Sequence, residues 1–303
     1  MSGAYGRTDD AQSAAVIHAA IERGVTLLDT ADFYGSGHNE ILIGKAIAGR
    51  RDQVQLSVKF GMLRGTGNGM GGGVDARPAA VENFLAYSLV RLGTDYVDVY
   101  RPARLDPAVP IEETIGAIAE LVKAGHVRAI GLSEVGPETI RRAAKVHPIA
   151  DLQIEYSIAS RDAEDAIFPV LAELGIGATL YGVLSRGLLS ASRIGTGDAR
   201  AHLPRFTGAG GDANARLVAG LQAVATRWGL TASQLAIGWV LGRQPQFVPT
   251  LGMRTIQHLD EALAATPLTA EQFAEVEAIA PRGAFTGSRY PAAHMASLDS
   301  EKR

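Results

Sequence analysis

One pattern constrains this chain more than any other: short apolar runs rich in β-branched residues alternate with amphipathic stretches of helical period. The runs lie at Val25–Leu28, Val54–Val58, Tyr96–Tyr100, Val127–Leu132, Leu152–Ile154, Ala178–Tyr181 and Phe247–Thr250, and each reads as a buried strand. Helical stretches fill the intervals: Ala11–Arg23, Asn39–Ala48, Arg77–Leu92, Ile111–Lys123, Pro137–Lys145, Asp162–Leu174 and a longer insert, Ala213–Gly242. Strict alternation implies a parallel sheet with right-handed crossovers. A closed (β/α)8 barrel needs eight strands; seven are legible here, and the chain opens on a helix. The expectation is a (β/α)8 barrel that lacks its first strand.

Local signals agree. Thr8-Asp9-Asp10 can cap the first helix, Gly24 follows its end, and Pro78 and Pro137 stand where a first turn tolerates proline. Helices near Ile256–Leu263 and Ala270–Ile279 would complete the outer ring, and the segment from about 281 onward reads as a tail of weak structure within one domain, 1–303. Gly61–Val74 and Ser190–Gly211 read as glycine-rich mobile loops. The first lacks the GK[ST] ending of a phosphate loop.

The 303 residues suit one such domain, with 47% hydrophobic and 20% charged residues. A formal net charge of -3, without a basic run, gives no footprint for nucleic acid or acidic lipid. Small molecules are the expected partners. The absence of cysteine removes disulfides, thiolate metal sites and thiol nucleophiles. With no signal peptide or apolar stretch of about 18 residues, the expectation is a cytoplasmic protein.

In a parallel barrel the chemistry lies at the C-terminal strand ends. Asp29 ends the first run, Tyr34 lies in its loop, and Lys59 ends the next. A phenol, with a pKa of about 10, is a weak proton donor at neutral pH, and a neighbouring ammonium makes it a better one. A carboxylate such as Asp29 would keep a buried lysine charged and in place. The alternative is a buried ion pair that only supports the barrel.

The stretches GVTLLDTADFYGSGHNEILIGKAI, LSVKFG, RLGTDYVDVY and VPIEETIGAIAELVKAGHVRAIGLSE strongly resemble the aldo-keto reductases, over nearly the whole chain. The resemblance implies a cytosolic NADPH-dependent reductase of small carbonyl compounds, with Tyr34 as general acid and Lys59 and Asp29 supporting it. It further implies that Ser133 and Gln153 contact the nicotinamide carboxamide and that Tyr181 stacks on the ring. Leu184, Arg186 and Gly187 would form the pyrophosphate loop. Gly252, Met253, Arg254, Gln257 and Glu261 would grip the adenosine half, the Arg254 guanidinium suiting a 2'-phosphate. No metal site is expected, and the oligomeric state is open.

Several positions depart from the family pattern. Glu134 stands where many relatives have Asn, and Gly182-Val183 where Ser-Pro is common. Tyr100–Pro107, YRPARLDP, places Ala103 where relatives have a histidine that orients the carbonyl oxygen; losing one such donor costs about 2.7 to 4 kcal/mol of transition-state stabilisation. Arg101 and Arg104 are the candidates to substitute. Relatives also carry a β-hairpin and a first strand, of which Met1–Gly6 resembles the end, so the start is expected to lie upstream. Two other functions stay open: an NADP(H)-binding redox sensor or partner subunit with little turnover, and a Schiff-base aldolase using Lys59.

Overall fold

The computed structural model describes residues 9–66, 72–190, 192 and 198–302. Met1–Gly6 and the centres of both glycine-rich loops, 67–71 and 193–197, lie outside the described residues.

Seven parallel strands form one sheet in chain order: β1 (Leu27–Ala31), β2 (Gln55–Phe60), β3 (Val97–Pro102), β4 (Val127–Ser133), β5 (Ile149–Glu155), β6 (Gly177–Tyr181) and β7 (Val248–Pro249). Between them run α1 (Asp10–Glu22), ahead of β1, then α2 (His38–Ala46), α3 (Pro78–Leu92), α4 (Ile111–Lys123), α5 (Pro137–Val146) and α6 (Ala163–Leu174). Every predicted run is a strand. Several extend further than expected: the β1–β2 ladder continues to Ala31↔Lys59, so Asp29 lies within β1 rather than at its end.

The long insert is two helices, α7 (Gly208–Arg227) and α8 (Ala232–Arg243). The break follows from Gly229, at φ 70°, and from Thr231, whose hydroxyl accepts the Gln234 amide in a reciprocal cap. After β7 come α9 (Ile256–Leu263), α10 (Ala270–Ile279) and the short α11 (Ala292–Met295). Among the described residues β1 and β7 form no ladder. Across that gap α1 meets α9 through Ala19, Ala20 and Leu259, with Arg23 and Asp260 paired at 2.5 Å.

The segment after 281 has little regular structure, yet it is packed: Leu298 is 1% exposed and Arg289 6%. Charged side chains rather than a backbone ladder hold it in place.

Candidate active site

Period-two alternation puts Asp29, Ser57, Lys59, Arg101, Ser133, Asp151, Gln153 and Thr179 on the inner face of the sheet. Asp29 lies opposite Ser57 in the ladder, Lys59 opposite Arg101, Ser133 opposite Gln153, and Gln153 opposite Thr179. Two carboxylates and two cations at this depth are tolerable only when each is paired and hydrogen-bonded.

They are. Lys59 Nζ lies 2.5 Å from Asp29 Oδ2, while Ser57 Oγ and Gln153 Nε2 donate to Asp29 Oδ1 at 2.8 and 2.9 Å. Burial alone would raise the Asp29 carboxyl, but the Lys59 and Arg101 charges and the Lys59 and Gln153 hydrogen bonds hold it below its usual range. Arg101, fully buried, donates to Ser57 Oγ at 2.9 Å, Asp151 Oδ2 at 3.0 Å and Thr179 Oγ1 at 3.2 Å. One guanidinium thus ties β3 to β2, β5 and β6. Gly131 makes this possible, since a Cβ there would sit 2.8 Å from Asp151 Oδ1 and 3.1 Å from the guanidinium carbon.

Tyr34 lies above this floor. Its ring centroid is 5.1 Å from Lys59 Nζ and 5.0 Å from the ring of Phe33, which meets it edge-on. At 38% exposure it is open to solvent. The tight Gly35-Ser36-Gly37 turn, all at positive φ, carries the chain from Tyr34 into α2; at Gly37 a Cβ would run into the Arg91 side chain. The expected catalytic residues therefore converge.

Neither arginine takes the place of the histidine. Arg101 is bound into the floor, and Arg104 Nη1 folds back onto the Ala103 carbonyl at 2.6 Å. Ala103 itself is buried.

The expected cofactor residues fall into three groups. Ser133 and Gln153, both buried, and Tyr181 share one rim of the sheet, with Glu155 opposite Tyr181. The loop after β6 turns through left-handed Gly182, Ser185, Arg186 and Gly187. Leu184 packs on the core there, and Arg186 Nη2 reaches Glu155 Oε2 at 3.0 Å. After β7, Gly252, Arg254 and Gln257 are exposed, Met253 packs beside Ala19, Ala20 and Leu259, and Glu261 Oε1 accepts the Thr231 hydroxyl at 2.5 Å. The donor set suits a nicotinamide dinucleotide: amide and hydroxyl groups beside an aromatic ring, then a tight turn carrying a guanidinium. Among the described residues no group of His, Cys, Asp or Glu could hold a metal ion, and no helix is long and apolar enough to cross a membrane.

Sequence reasoning missed the partner of Glu134. This residue, at φ 55° and with no exposed surface, pairs with Arg289 through both guanidinium nitrogens, accepts Tyr181 Oη at 2.8 Å and takes the Ser300 hydroxyl at 2.7 Å. Burial raises its carboxyl, but Arg289, Arg104 and Ser300 bring it down to about 2. The one signal in the sequence was an acid where relatives have an amide.

The pattern of the Aldo/keto reductase family matches residues 1–281. The chain is 36% identical over 299 residues to "Probable aldo-keto reductase 1" of Glycine max, covering 96% of this chain and 86% of that protein. Among solved structures it superposes on a glycerol dehydrogenase from Gluconobacter oxydans with a TM-score of 0.84 at 26% identity, over 95% of this chain and 90% of that one. An aldo/keto reductase from Klebsiella pneumoniae, solved with NADP and acetate, matches with a TM-score of 0.72 at 27% identity, over 93% and 89%. With its sheet, its inner-face charges and these likenesses, the chain belongs to the aldo-keto reductase family.

Proposed function

We propose that this protein is an NADPH-dependent oxidoreductase that reduces aldehyde or ketone carbonyls to alcohols, with Tyr34 as the general acid. The observation that carries the reading is the position of Lys59, bonded to Asp29 on one side and 5.1 Å from the Tyr34 ring on the other. The chemistry supplied by bound NADPH is a hydride for the carbonyl carbon. The chain's own part is to hold the carbonyl oxygen near the Tyr34 hydroxyl and deliver a proton to it as negative charge develops there. Asp29 keeps the Lys59 ammonium in place, so that a positive charge faces the phenol throughout. Ser133 and Gln153 would orient the carboxamide, Tyr181 the ring, Arg186 and the turn to Gly187 the pyrophosphate, and Arg254 the 2'-phosphate. Among the described residues no strand pairs with both β7 and β1, the place that the eighth strand of a (β/α)8 barrel would take on this reading.

A second reading, an NADP(H)-binding protein with little turnover, draws on Ala103 in place of the orienting histidine. The Schiff-base reading fares worse, because the Lys59 nitrogen is bonded to a carboxylate and a nucleophilic amine must be uncharged.

The test is titration with NADPH and NADH by nicotinamide fluorescence, then turnover of activated aldehydes at saturating cofactor. Tight NADPH binding and a loss of about 100-fold or more in kcat for Tyr34→Phe are expected. Binding without turnover in the parent protein would favour the sensor. Arg254→Ala should weaken NADPH and leave NADH unchanged; equal loss for both removes the 2'-phosphate assignment.

A further inference from the structure

Five donors converge on the Glu134 carboxylate. Oε1 takes the Tyr181 hydroxyl at 2.8 Å, Arg289 Nη1 at 2.8 Å and the Glu155 amide at 3.0 Å; Oε2 takes Arg289 Nη2 and the Ser300 hydroxyl. Two of the three side chains involved come from the C-terminal segment. That segment also places the Tyr290 hydroxyl 3.2 Å from the Tyr181 hydroxyl, and Arg289 Nη1 3.3 Å from the same oxygen.

We infer that Arg289 is a positioning residue for the nicotinamide: held by Glu134, it fixes the Tyr181 ring through its hydroxyl. The inference rests on the proposed role of Tyr181 as the stacking aromatic.

The chemistry of the pairing is specific. A guanidinium can bond both oxygens of one carboxylate in a planar fork, and here it does so while its Nε and Nη2 also reach Glu301 Oε1 at 3.0 and 2.7 Å. An amide in place of Glu134 would remove one of the two carboxylates to which this buried cation hydrogen-bonds and leave Glu301 as the other. In the wider cluster Arg186, Arg205 and Arg289 pair with Glu134, Glu155 and Glu301, and the charge of Arg104 also acts on Glu134.

A phenol with its hydroxyl held from three directions cannot swing its ring about the Cα–Cβ bond. A stacking surface that is already fixed loses less freedom when the ligand arrives. Through Arg186, whose Nη1 donates to the Arg289 carbonyl at 3.0 Å and whose guanidinium lies 4.3 Å from the Tyr290 ring, the same segment is tied to the pyrophosphate loop.

The experiment compares NADPH with 2'-phospho-ADP-ribose, which lacks the nicotinamide, by calorimetry on the parent protein, Arg289→Met, Arg289→Lys, Glu134→Gln and Tyr181→Leu. Arg289→Met is expected to weaken NADPH about tenfold, as loss of a charged hydrogen bond does, and to leave 2'-phospho-ADP-ribose within about twofold. Arg289→Lys should recover part of the loss. A purely structural role weakens both ligands alike, and that result, or no change in either, overturns the inference. If Arg289→Met does not fold, the neutral double variant Glu134→Gln, Arg289→Gln is read in the same way. Tyr181→Leu separates the two levels. If it fails to weaken NADPH selectively, the stacking role is wrong; if it succeeds and Arg289→Met does not, only the positioning role is wrong.

Discussion

Lys59 and Asp29 are not cross-strand neighbours: in the β1–β2 ladder Lys59 lies opposite Ala31, and its ammonium reaches back to Asp29 Oδ2 at 2.5 Å. That reach keeps the pair buried and leaves Tyr34 at the surface. The consequences for stability are opposite. Lys59→Met strands a buried carboxylate and should cost about 3 to 5 kcal/mol, whereas Tyr34→Phe should stay within about 0.5 kcal/mol of the parent protein. Urea unfolding of both variants checks this, and a Tyr34→Phe loss as large as that of Lys59→Met would mean the hydroxyl is structural.

The Arg101 guanidinium joins four strands, and its planar fork is what allows one side chain to meet Ser57, Asp151 and Thr179 together. Arg101→Met should destabilise by about 3 to 5 kcal/mol because Asp151 loses its counter-charge. Arg101→Lys should recover less than half of this, since a point charge cannot bridge the same groups. Full rescue by lysine in a denaturation series would show that charge alone matters at this position.

Much of this was legible in the sequence, for local reasons. Seven apolar runs gave the strands because buried parallel strands are continuous in hydrophobicity, and the grouping of Asp29, Tyr34 and Lys59 was legible although the ladder runs on past Asp29 to Ala31. The split between α7 and α8 was readable in Gly229 and Thr231 but was outweighed by the length of the periodic stretch. Arg101 read only as a candidate to replace the histidine, because the partners that bind it into the floor lie 44 to 78 positions away. The tail gave no periodicity, since what orders it is the pairing of Arg289 with Glu134, 155 positions earlier.

Glu134 carries a stability contribution whose sign is fixed by its depressed carboxyl. In the unfolded chain it titrates near the usual glutamate value of about 4.3; folded, it stays charged down to about 2. Its contribution is complete above the unfolded value and is lost as pH falls through that window, about 3 kcal/mol in all. Stability measured between pH 5 and pH 2 should therefore fall less steeply for Glu134→Gln than for the parent protein. Parallel curves would show that the carboxylate is not held as the Arg289 contacts imply.

Asp32 has the opposite sign. It follows β1, two residues before Tyr34, and accepts the Gly61 amide on Oδ2 at 3.3 Å, while its Oδ1 is buried with no hydrogen-bond partner among the described residues. Burial pushes its carboxyl up to about 7; the Gly61 amide and Arg91 oppose this and the Glu40 charge adds to it. The folded chain thus holds a proton that the unfolded chain releases near pH 4. Between those values the native state binds more protons, so stability declines as pH rises, by up to about 4 kcal/mol from this group. Asp32→Asn keeps an acceptor for Gly61 and cannot ionise. It should match the parent protein near pH 4 and exceed it by several kcal/mol at pH 8, as read from urea midpoints at each pH. Because the Asp32 backbone N–H also donates to the Lys59 carbonyl at 3.0 Å, the gain should come without displacement of Tyr34 relative to Lys59. A variant that is no more stable at pH 8 than at pH 4, relative to the parent protein, would mean that Asp32 is already ionised in the fold and that its unpaired oxygen is hydrated.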